Sequence, residues 1–474
     1  MIPSTKTTCR RIHTAALALA FSATFHAFAH GQIIQRWLTQ WGTSALDVSQ
    51  GVAVDGSGKT WVGGYTQGAL GGTNAGGSDL FLTPLSSTGV RGTSVQRGGT
   101  TEDFGEAVAV VGGSTVFGVG YTQSTTAWDG AAVIGIDDAL AVACSTVGAY
   151  QTTTRFGSTA SDLAFAAAGN ATGLLIAGGS RGSFDGQTQA GSQDAFLSKR
   201  TITGALVWTR FVGTIRPDIG TGAAFDSAGN AYLAGFTDGT LSGSTNTGGD
   251  DLFVARYNAS GTRTLLKQWG STSTDYSSDI EVDGNGNIYV TGQTAGPLGG
   301  QINSGGGDAF LTKLDSNGTV LWTRLFGGTG YEFGTGLALD AAGNVWIGGL
   351  SDSTFADHTN AGSYDAFAAR YDSAGTLLNT AFWGTAGDDR VNGLAAAPDG
   401  SVSVSGITSG RLGATSAGDY DAWVASLTTI PEPATAALLF GGAVFLALRR
   451  QRQEERAFST PAQGQRASDE PLGD

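Results

Sequence analysis

Residues 270–326 read GSTSTDYSSDIEVDGNGNIYVTGQTAGPLGGQINSGGGDAFLTKLDSNGTVLWTRLF. Two short runs rich in Ile, Val and Tyr, residues 279–282 and 287–292, flank Asp283-Gly284-Asn285-Gly286. That tetrapeptide is tight-turn chemistry, so the pair reads as a β-hairpin. A Gly- and Ser-rich stretch, 293–307, leads to a third run at 308–314, a turn at 315–318 and a fourth run at 319–326. The segment is therefore four strands and no helix.

The segment is one copy of a repeat. A glycine followed five residues later by an acid recurs at Gly42/Asp47, Gly98/Asp103, Gly157/Asp162, Gly213/Asp218, Gly270/Asp275, Gly327/Glu332 and Gly384/Asp389, at intervals of 56, 59, 56, 57, 57 and 57 residues. A second marker, typified by Asp308-Ala309-Phe310, follows each glycine by 37 to 40 residues; its acids are Asp79, Asp138, Asp194, Asp251, Asp308, Asp365 and Asp421. Even spacing of this size signals a propeller, solenoid or array. A lone four-stranded sheet has two faces to cover and two open edges, and radial packing of about four to eight such blades meets that need.

The ends of the repeat region favour a closed ring over an open stack. The seventh unit stops after its third strand, 421–427, whereas an extra strand, 32–41 (QIIQRWLTQW), precedes the first unit and resembles a fourth strand such as 205–212 (ALVWTRFV). The expected fold is all-β: a seven-bladed β-propeller of four-stranded antiparallel blades, with the N-terminal strand completing the last blade.

These units resemble the bacterial seven-bladed β-propeller repeat of the SBBP type, on the strength of the Gly-x4-Asp start, the Asp-Gly-Asn-Gly hairpin and the Asp-Ala-Phe strand, over residues 32–429. The resemblance implies a fold rather than an activity. The second copy departs from it, with Asp138-Ala139-Leu140 lacking the aromatic and Val111-Gly112-Gly113-Ser114 replacing the acidic turn.

At the N-terminus Lys6, Arg10 and Arg11 precede the apolar run 14–28 and a small-x-small site at Ala27-Phe28-Ala29, the form of an export signal over residues 1–29. At the other end Pro431-Glu432-Pro433 is followed by the uncharged run 434–448 and by Arg449, Arg450 and Arg452. Fifteen residues span roughly 22 Å as a helix, short of the ~30 Å of a bilayer core. Residues 430–452 resemble the PEP-CTERM sorting signal of Gram-negative bacteria that secrete exopolysaccharide. That resemblance implies an exosortase as processing partner, passage through the inner membrane and release to the surface or beyond. A polar tail, 453–474, follows the arginines, where such signals usually end sooner. The other reading of the segment is a plain single-pass anchor.

Composition narrows the partners. Residues 30–430 carry 34 acids and 18 bases, a balance that repels nucleic acid and anionic surfaces. Cys9 lies in the signal, so Cys144 stands alone, no internal disulfide forms, and its apolar setting reads as a buried small side chain. Beyond the signal only His30 and His358 remain, too few for a Ser-His-Asp triad or a two-histidine metal site; His358, in a polar loop, reads as solvated. The Asp283 segment has the rhythm of a calcium loop, but its twelfth position is Thr294, which favours a hairpin turn.

The repeat acids belong on one rim, because alternating strands place the interblade connection and the connection between strands two and three on the same face. Their plain role is to accept backbone N–H bonds in glycine-rich loops. The sharper expectation is that Asp47, Asp79, Asp218, Asp251, Asp275, Asp308, Asp365, Asp389 and Asp421 pair to hold Ca2+. No cofactor is otherwise indicated. The reading that follows is an exported structural or ligand-binding module, with its ligand face on the rim bearing the long loops and exopolysaccharide as the partner sought. The alternative is a propeller-type polysaccharide lyase or hydrolase using the unrepeated acids Asp137, Asp250 or Asp388.

Overall fold

The computed structural model describes residues 32–413 and 416–430. Twenty-eight strands are present among them. Blade one contains β2 (Asp47–Val54), β3 (Thr60–Thr66), β4 (Asp79–Leu85) and β5 (Val95–Arg97); blade two contains β6 (Asp103–Val111), β7 (Thr115–Thr122), β8 (Asp138–Ser145) and β9 (Tyr150–Phe156). Blade three holds β10 (Asp162–Gly169), β11 (Leu174–Ser180), β12 (Asp194–Arg200) and β13 (Leu206–Val212), and blade four β14 (Asp218–Phe225), β15 (Ala231–Thr237), β16 (Asp251–Tyr257) and β17 (Arg263–Trp269). Blade five is β18 (Asp275–Val282), β19 (Ile288–Thr294), β20 (Asp308–Leu314) and β21 (Val320–Phe326); blade six is β22 (Glu332–Leu339), β23 (Val345–Ser351), β24 (Asp365–Tyr371) and β25 (Leu377–Trp383). Blade seven joins β26 (Asp389–Ala396), β27 (Val402–Thr408) and β28 (Asp421–Thr429) to β1 (Ile33–Trp41). The ring is the seven-bladed, four-stranded antiparallel propeller that the repeat predicts.

Closure by β1 follows from its side chains as well as its pairing. In β13 and β21 a tryptophan, Trp208 or Trp322, packs over a positive-φ glycine in the next blade's outer turn, Gly261 (φ 78°) or Gly375 (φ 82°). Trp37 of β1 does the same over Gly89 of blade one (φ 81°), and its indole donates to Ser87 O at 3.0 Å, as Trp208 donates to Ala259 O at 3.1 Å. A residue with a Cβ would be strained at such a φ and would also collide with the ring. β1 is further tied to blade six by Trp383 donating to Gln35 at 2.8 Å and to blade seven by the Arg36–Asp399 ion pair. N-terminal strand and outer strand are thus the same element.

Sandwiching between blades sets the burial. The two middle strands of each blade lose the in/out alternation because both faces meet a neighbouring sheet; β19 and β20 are buried at every position. The repeated aromatic slot, Phe81, Phe196, Phe253, Phe310, Phe367 and Trp423, has no exposed surface, and each such side chain contributes about 1.5–3 kcal/mol of burial. Leu140 fills that slot in blade two, which is otherwise regular despite its divergent sequence. Blade one is the irregular one: β5 is three residues long, and only an isolated Leu85–Arg91 bridge extends its pairing.

Candidate functional site

Every innermost strand carries a one-residue β-bulge. The register slips between Ser49 and Gly51, Gly105 and Ala107, Ala164 and Ala166, Gly220 and Gly222, Ser277 and Asp279, Gly334 and Gly336, and Val391 and Gly393. The cause is a glycine inside the second strand. A methyl group on Gly64, Gly120, Gly178, Gly235, Gly292, Gly349 or Gly406 would lie well inside 3.0 Å of the carbonyl of the second residue of the facing strand. Only glycine permits that approach, and a bulge re-aims the extra side chain. The bulged residues line a central cavity of about 610 Å³ together with all seven innermost strands.

Apart from Phe165 of blade three, the bulge ring is polar, and it is linked across blades. Asn392 donates to Gln50 at 3.0 Å and Gln50 donates to Glu106 at 3.0 Å, while Thr335 donates to Val391 O at 2.6 Å. Below the ring, blade five breaks the sevenfold rule. Where the other blades place Gly or Ala it has Asp279, and where they all place Ala it has Glu281. Asp279 accepts from the N–H groups of Leu337 at 2.9 Å and Ile280 at 2.8 Å. Burial pushes Asp279 and Glu106 up to about 7, and burial plus the Asp279 charge pushes Glu281 up to about 8. Each keeps some surface open to the cavity, but protein encloses them on every side and confined water solvates a charge poorly.

The repeat acids meet in pairs on the upper rim. At the junctions of Gly42, Gly98, Gly270 and Gly327 the acid opening a third strand and the acid opening the next blade's first strand both crowd the repeat glycine; a methyl on Gly98 would overlap Asp79 and stand 3.0 Å from Asp103 Oδ2. Every first-strand acid accepts an N–H from the interblade connection at 2.5–2.8 Å. Every third-strand acid accepts one from its own loop at 2.8–3.0 Å. The plain role read from the sequence is what the structure shows. The Ca2+ role does not fit the donor set. One oxygen of each acid is committed to N–H donors and two carboxylates meet per junction, against the six to eight oxygens Ca2+ takes; no group of three or more His, Cys, Asp or Glu able to hold a metal occurs among the described residues.

The junctions differ in what faces the pair. Gln40, Gln96 and Gln268 donate to Asp421, Asp79 and Asp251 at 2.9–3.0 Å. Arg155, 1% exposed in its side chain, stands 3.6 Å from Asp138. His358 is only partly exposed, where the sequence reading has it solvated: its Nε2 lies 2.6 Å from Asp365 and its ring stacks on Phe382 at 4.2 Å. Folding of the loop onto the apolar outer-strand residue brings it there. At Asp194/Asp218 no such side chain arrives, and burial raises Asp218 to about 6 with the Asp194 charge adding to it.

At the same ends of the strands as the repeat acids stands a collar of half-buried aromatic rings, of which Phe165 also lines the cavity. Tyr65, Phe104, Tyr121 and Phe165 form a continuous series with centroids 4.9, 5.0 and 6.4 Å apart. Phe236 meets Tyr276 at 4.8 Å and Tyr331 meets Tyr364 at 6.4 Å. Arg390 lies 5.5 Å over Tyr364 and is held by Asp388 at 2.6 Å, which also accepts from Tyr420 at 3.0 Å. Burial first, then the charge of Glu106, raises Tyr65 and Tyr121.

Sequence reasoning had placed Asp137, Asp250 and Asp388 among the unrepeated acids, and all three border this rim in separate settings. Asp137 accepts from Ser161 at 2.5 Å, Asp250 is lifted by burial with Tyr276 as its hydrogen-bond partner, and Asp388 holds Arg390. No two of them share a blade junction. Asp279, Glu281, the bulge ring and the collar were missed, although glycine inside a strand pattern is a recognised sign of a bulge. Cys144 is fully buried and its thiol is pushed up to about 12. Asp283 caps a hairpin turn, accepting from Asn285 and Asn287 N–H at 2.9 Å. The export signal, Pro431, Glu432, Pro433, the apolar run, Arg449 and Arg450 lie outside the described residues; among those described no helix is long and apolar enough to cross a membrane.

Residues 267–299 match the family model described as SBBP, β-propeller repeat. A regulatory protein of Caulobacter vibrioides, FlaEY, is 29% identical over 158 residues, covering 30% of this chain and 17% of that protein. The chain therefore spans under a fifth of the curated relative it matches. Among solved structures, the polysaccharide lyase Uly1 aligns at 11% identity and TM-score 0.45 over 82% of this chain and 91% of its own. The aldose sugar dehydrogenase of Streptomyces coelicolor aligns at 13% and 0.39, over 84% and 99%. A gluconolactonase of Xanthomonas campestris aligns at 11% and 0.38, over 86% and 93%. All are remote in sequence and in superposition.

Proposed function

We propose that this chain is an exported carbohydrate-binding propeller whose ligand face is the collar on the upper rim. The observation that carries the reading is the set of half-buried aromatic rings on that rim, interleaved with acids and an arginine. Aromatic faces take the C–H face of a pyranose while the polar groups between them take its hydroxyls. An open groove of about 770 Å³ between the 213–216 connection and the 238–248 loop of blade four is lined by no aromatic ring, which makes it the weaker candidate. In this reading residues 430–452 act as an exosortase signal, the chain passes the inner membrane transiently, and the product sits at the surface or in the exopolysaccharide matrix.

Calorimetric titration of the mature protein with the producing cells' own polysaccharide tests the binding role. Saturable heat lost on Tyr65→Ala or Tyr121→Ala supports it; no heat from a folded protein sinks it. Intact mass of the protein recovered from the matrix tests sorting: a form ending near residue 431 supports exosortase processing, and a membrane-bound product keeping 434–474 means a plain anchor.

One observation favours the enzymatic alternative. Burial pushes Glu106 and Asp279 up to about 7 and Glu281 up to about 8 in the central cavity, where a carboxyl group can serve as general acid or base. Release of new sugar ends by the wild type and its loss in Glu281→Gln would move the protein into that class.

A further inference from the structure

The seven units form an internal alignment in which the residues flanking the repeat acids vary while the acids stay fixed. At the second position of the innermost strand six blades carry Val48, Phe104, Leu163, Ile219, Tyr276 and Phe333, and blade seven carries Arg390. Just before the same strand's acid, blade seven has Asp388 and blade six Tyr331; just before the third-strand acid, the same two blades have Tyr420 and Tyr364. One corner of the collar thus holds three phenols, a carboxylate and a guanidinium.

These groups are built into place. Asp388 is 9% exposed, its N–H donates to Ser409 Oγ at 2.7 Å, and its carboxylate takes Arg390 Nε at 3.0 and 3.1 Å, Nη2 at 2.6 Å and the Tyr420 hydroxyl at 3.0 Å. Arg390 is 37% exposed in its side chain, and its Nη1 has no partner among the described residues. A donor edge and an acceptor carboxylate stand side by side, next to the Tyr331–Tyr364 rings.

We infer that this corner is a subsite for one neutral pyranose of the ligand, gripped through two adjacent hydroxyls and stacked on Tyr364. It rests on the carbohydrate reading above and adds the sugar's charge class. One hydroxyl accepts from Arg390 Nη1 and its neighbour donates to Asp388. A uronate is disfavoured: with Nε and Nη2 of Arg390 held by Asp388, its carboxylate would find a single N–H donor at Nη1 and would stand beside Asp388 and the buried Asp365/Asp389 pair.

The test is titration of the mature protein with a neutral glucan hexamer, a neutral mannan hexamer and a uronic acid hexamer, at about 0.15 M and 1 M salt. A neutral hexamer binding at least tenfold tighter than the uronate, with little salt dependence, is expected. Arg390→Leu, an apolar residue like those of the sister blades, and Arg390→Lys, which keeps charge but not the fork, should each weaken binding at least tenfold; the Leu variant also melts lower because Asp388 loses its cation, whereas the Lys variant keeps the charge and melts near the wild type. A uronate binding as tightly as the neutral sugars, or an Arg390→Lys protein that melts near the wild type and binds as before, overturns this inference and leaves the carbohydrate reading standing. Binding by none of the three, nor by the cells' own polymer, overturns both.

Discussion

Asp399 on the lower rim and Asp218 on the upper rim are the same side chain in glycine-rich connections, and folding drives them in opposite directions. The Ser401 hydroxyl and the Arg36 guanidinium hold Asp399 down at about 2. Burial, reinforced by the Asp194 charge, lifts Asp218 to about 6 in spite of hydrogen bonds from Thr237 and Thr214. Asp340 shows that burial alone does not decide: it too is desolvated, but donors from Asn344 and Trp346 and the charge of Arg370 outweigh that and bring it down. What separates the rims is company. Lower-rim turns give each acid its own donors; upper-rim junctions bury two acids side by side.

The comparison breaks most visibly at the one junction where a buried cation already neutralises the pair. Arg155→Met turns Asp138/Asp162 into a bare junction and should cost about 3–5 kcal/mol at neutral pH. Denaturant unfolding at pH 8 and pH 5 checks it, the loss being smaller at pH 5 because a proton replaces the guanidinium.

Next in size is the backbone contact that makes the bulges. Gly406→Ala puts a methyl into Arg390 O, and roughly 2–3 kcal/mol should be lost, together with collar binding. A stability change under about 0.5 kcal/mol would show that the bulge does not need glycine there.

The pH profile sharpens the contrast between rims. Raised upper-rim acids bind protons more tightly in the folded state, so their contribution is complete below about pH 4 and is lost as pH rises through about 6. Lowered lower-rim acids contribute above about pH 4 and lose it as pH falls toward about 2. Maximum stability is therefore expected near pH 4–5, falling by about 1–2 kcal/mol per bare junction toward pH 8, a figure held below the full shift for solvent screening. Asp218→Asn should flatten the alkaline side in proportion, as read by melting temperature; an optimum above pH 7 would sink the proton-sharing account.

The smallest effect belongs to His358. His358→Phe keeps the stack on Phe382 and removes the contact to Asp365, and a loss of about 1 kcal/mol is expected in the same assay.

Much of the ring was legible because the repeat carries its own controls. Gly270 and Asp275 recur with the Asp308-Ala309-Phe310 strand, and the Trp37 strand reads like the Trp208 strand, so blade number and closure followed from comparison within the chain. The acids were placed on the right rim by strand alternation alone. That the acids pair was expected, but which two meet was not visible, since Asp194 and Asp218 belong to different units and meet only when blades pack. Tyr331, Tyr364, Asp388, Arg390 and Tyr420 could have been singled out by aligning the seven units on their acids. That they converge on one corner could not.

Local chemistry written in the chain determined the strands, the turns at Asp283 and Asp315, the seven units and the ring's closing strand, because each depends on residues near in sequence or on the repeat itself. Tertiary structure alone decided which carboxylates share a junction, which way the bulged side chains point and which rings and charges stand together on the upper rim. Those outcomes depend on distances between blades, and a residue's charge state and exposure follow from neighbours that the linear order does not name.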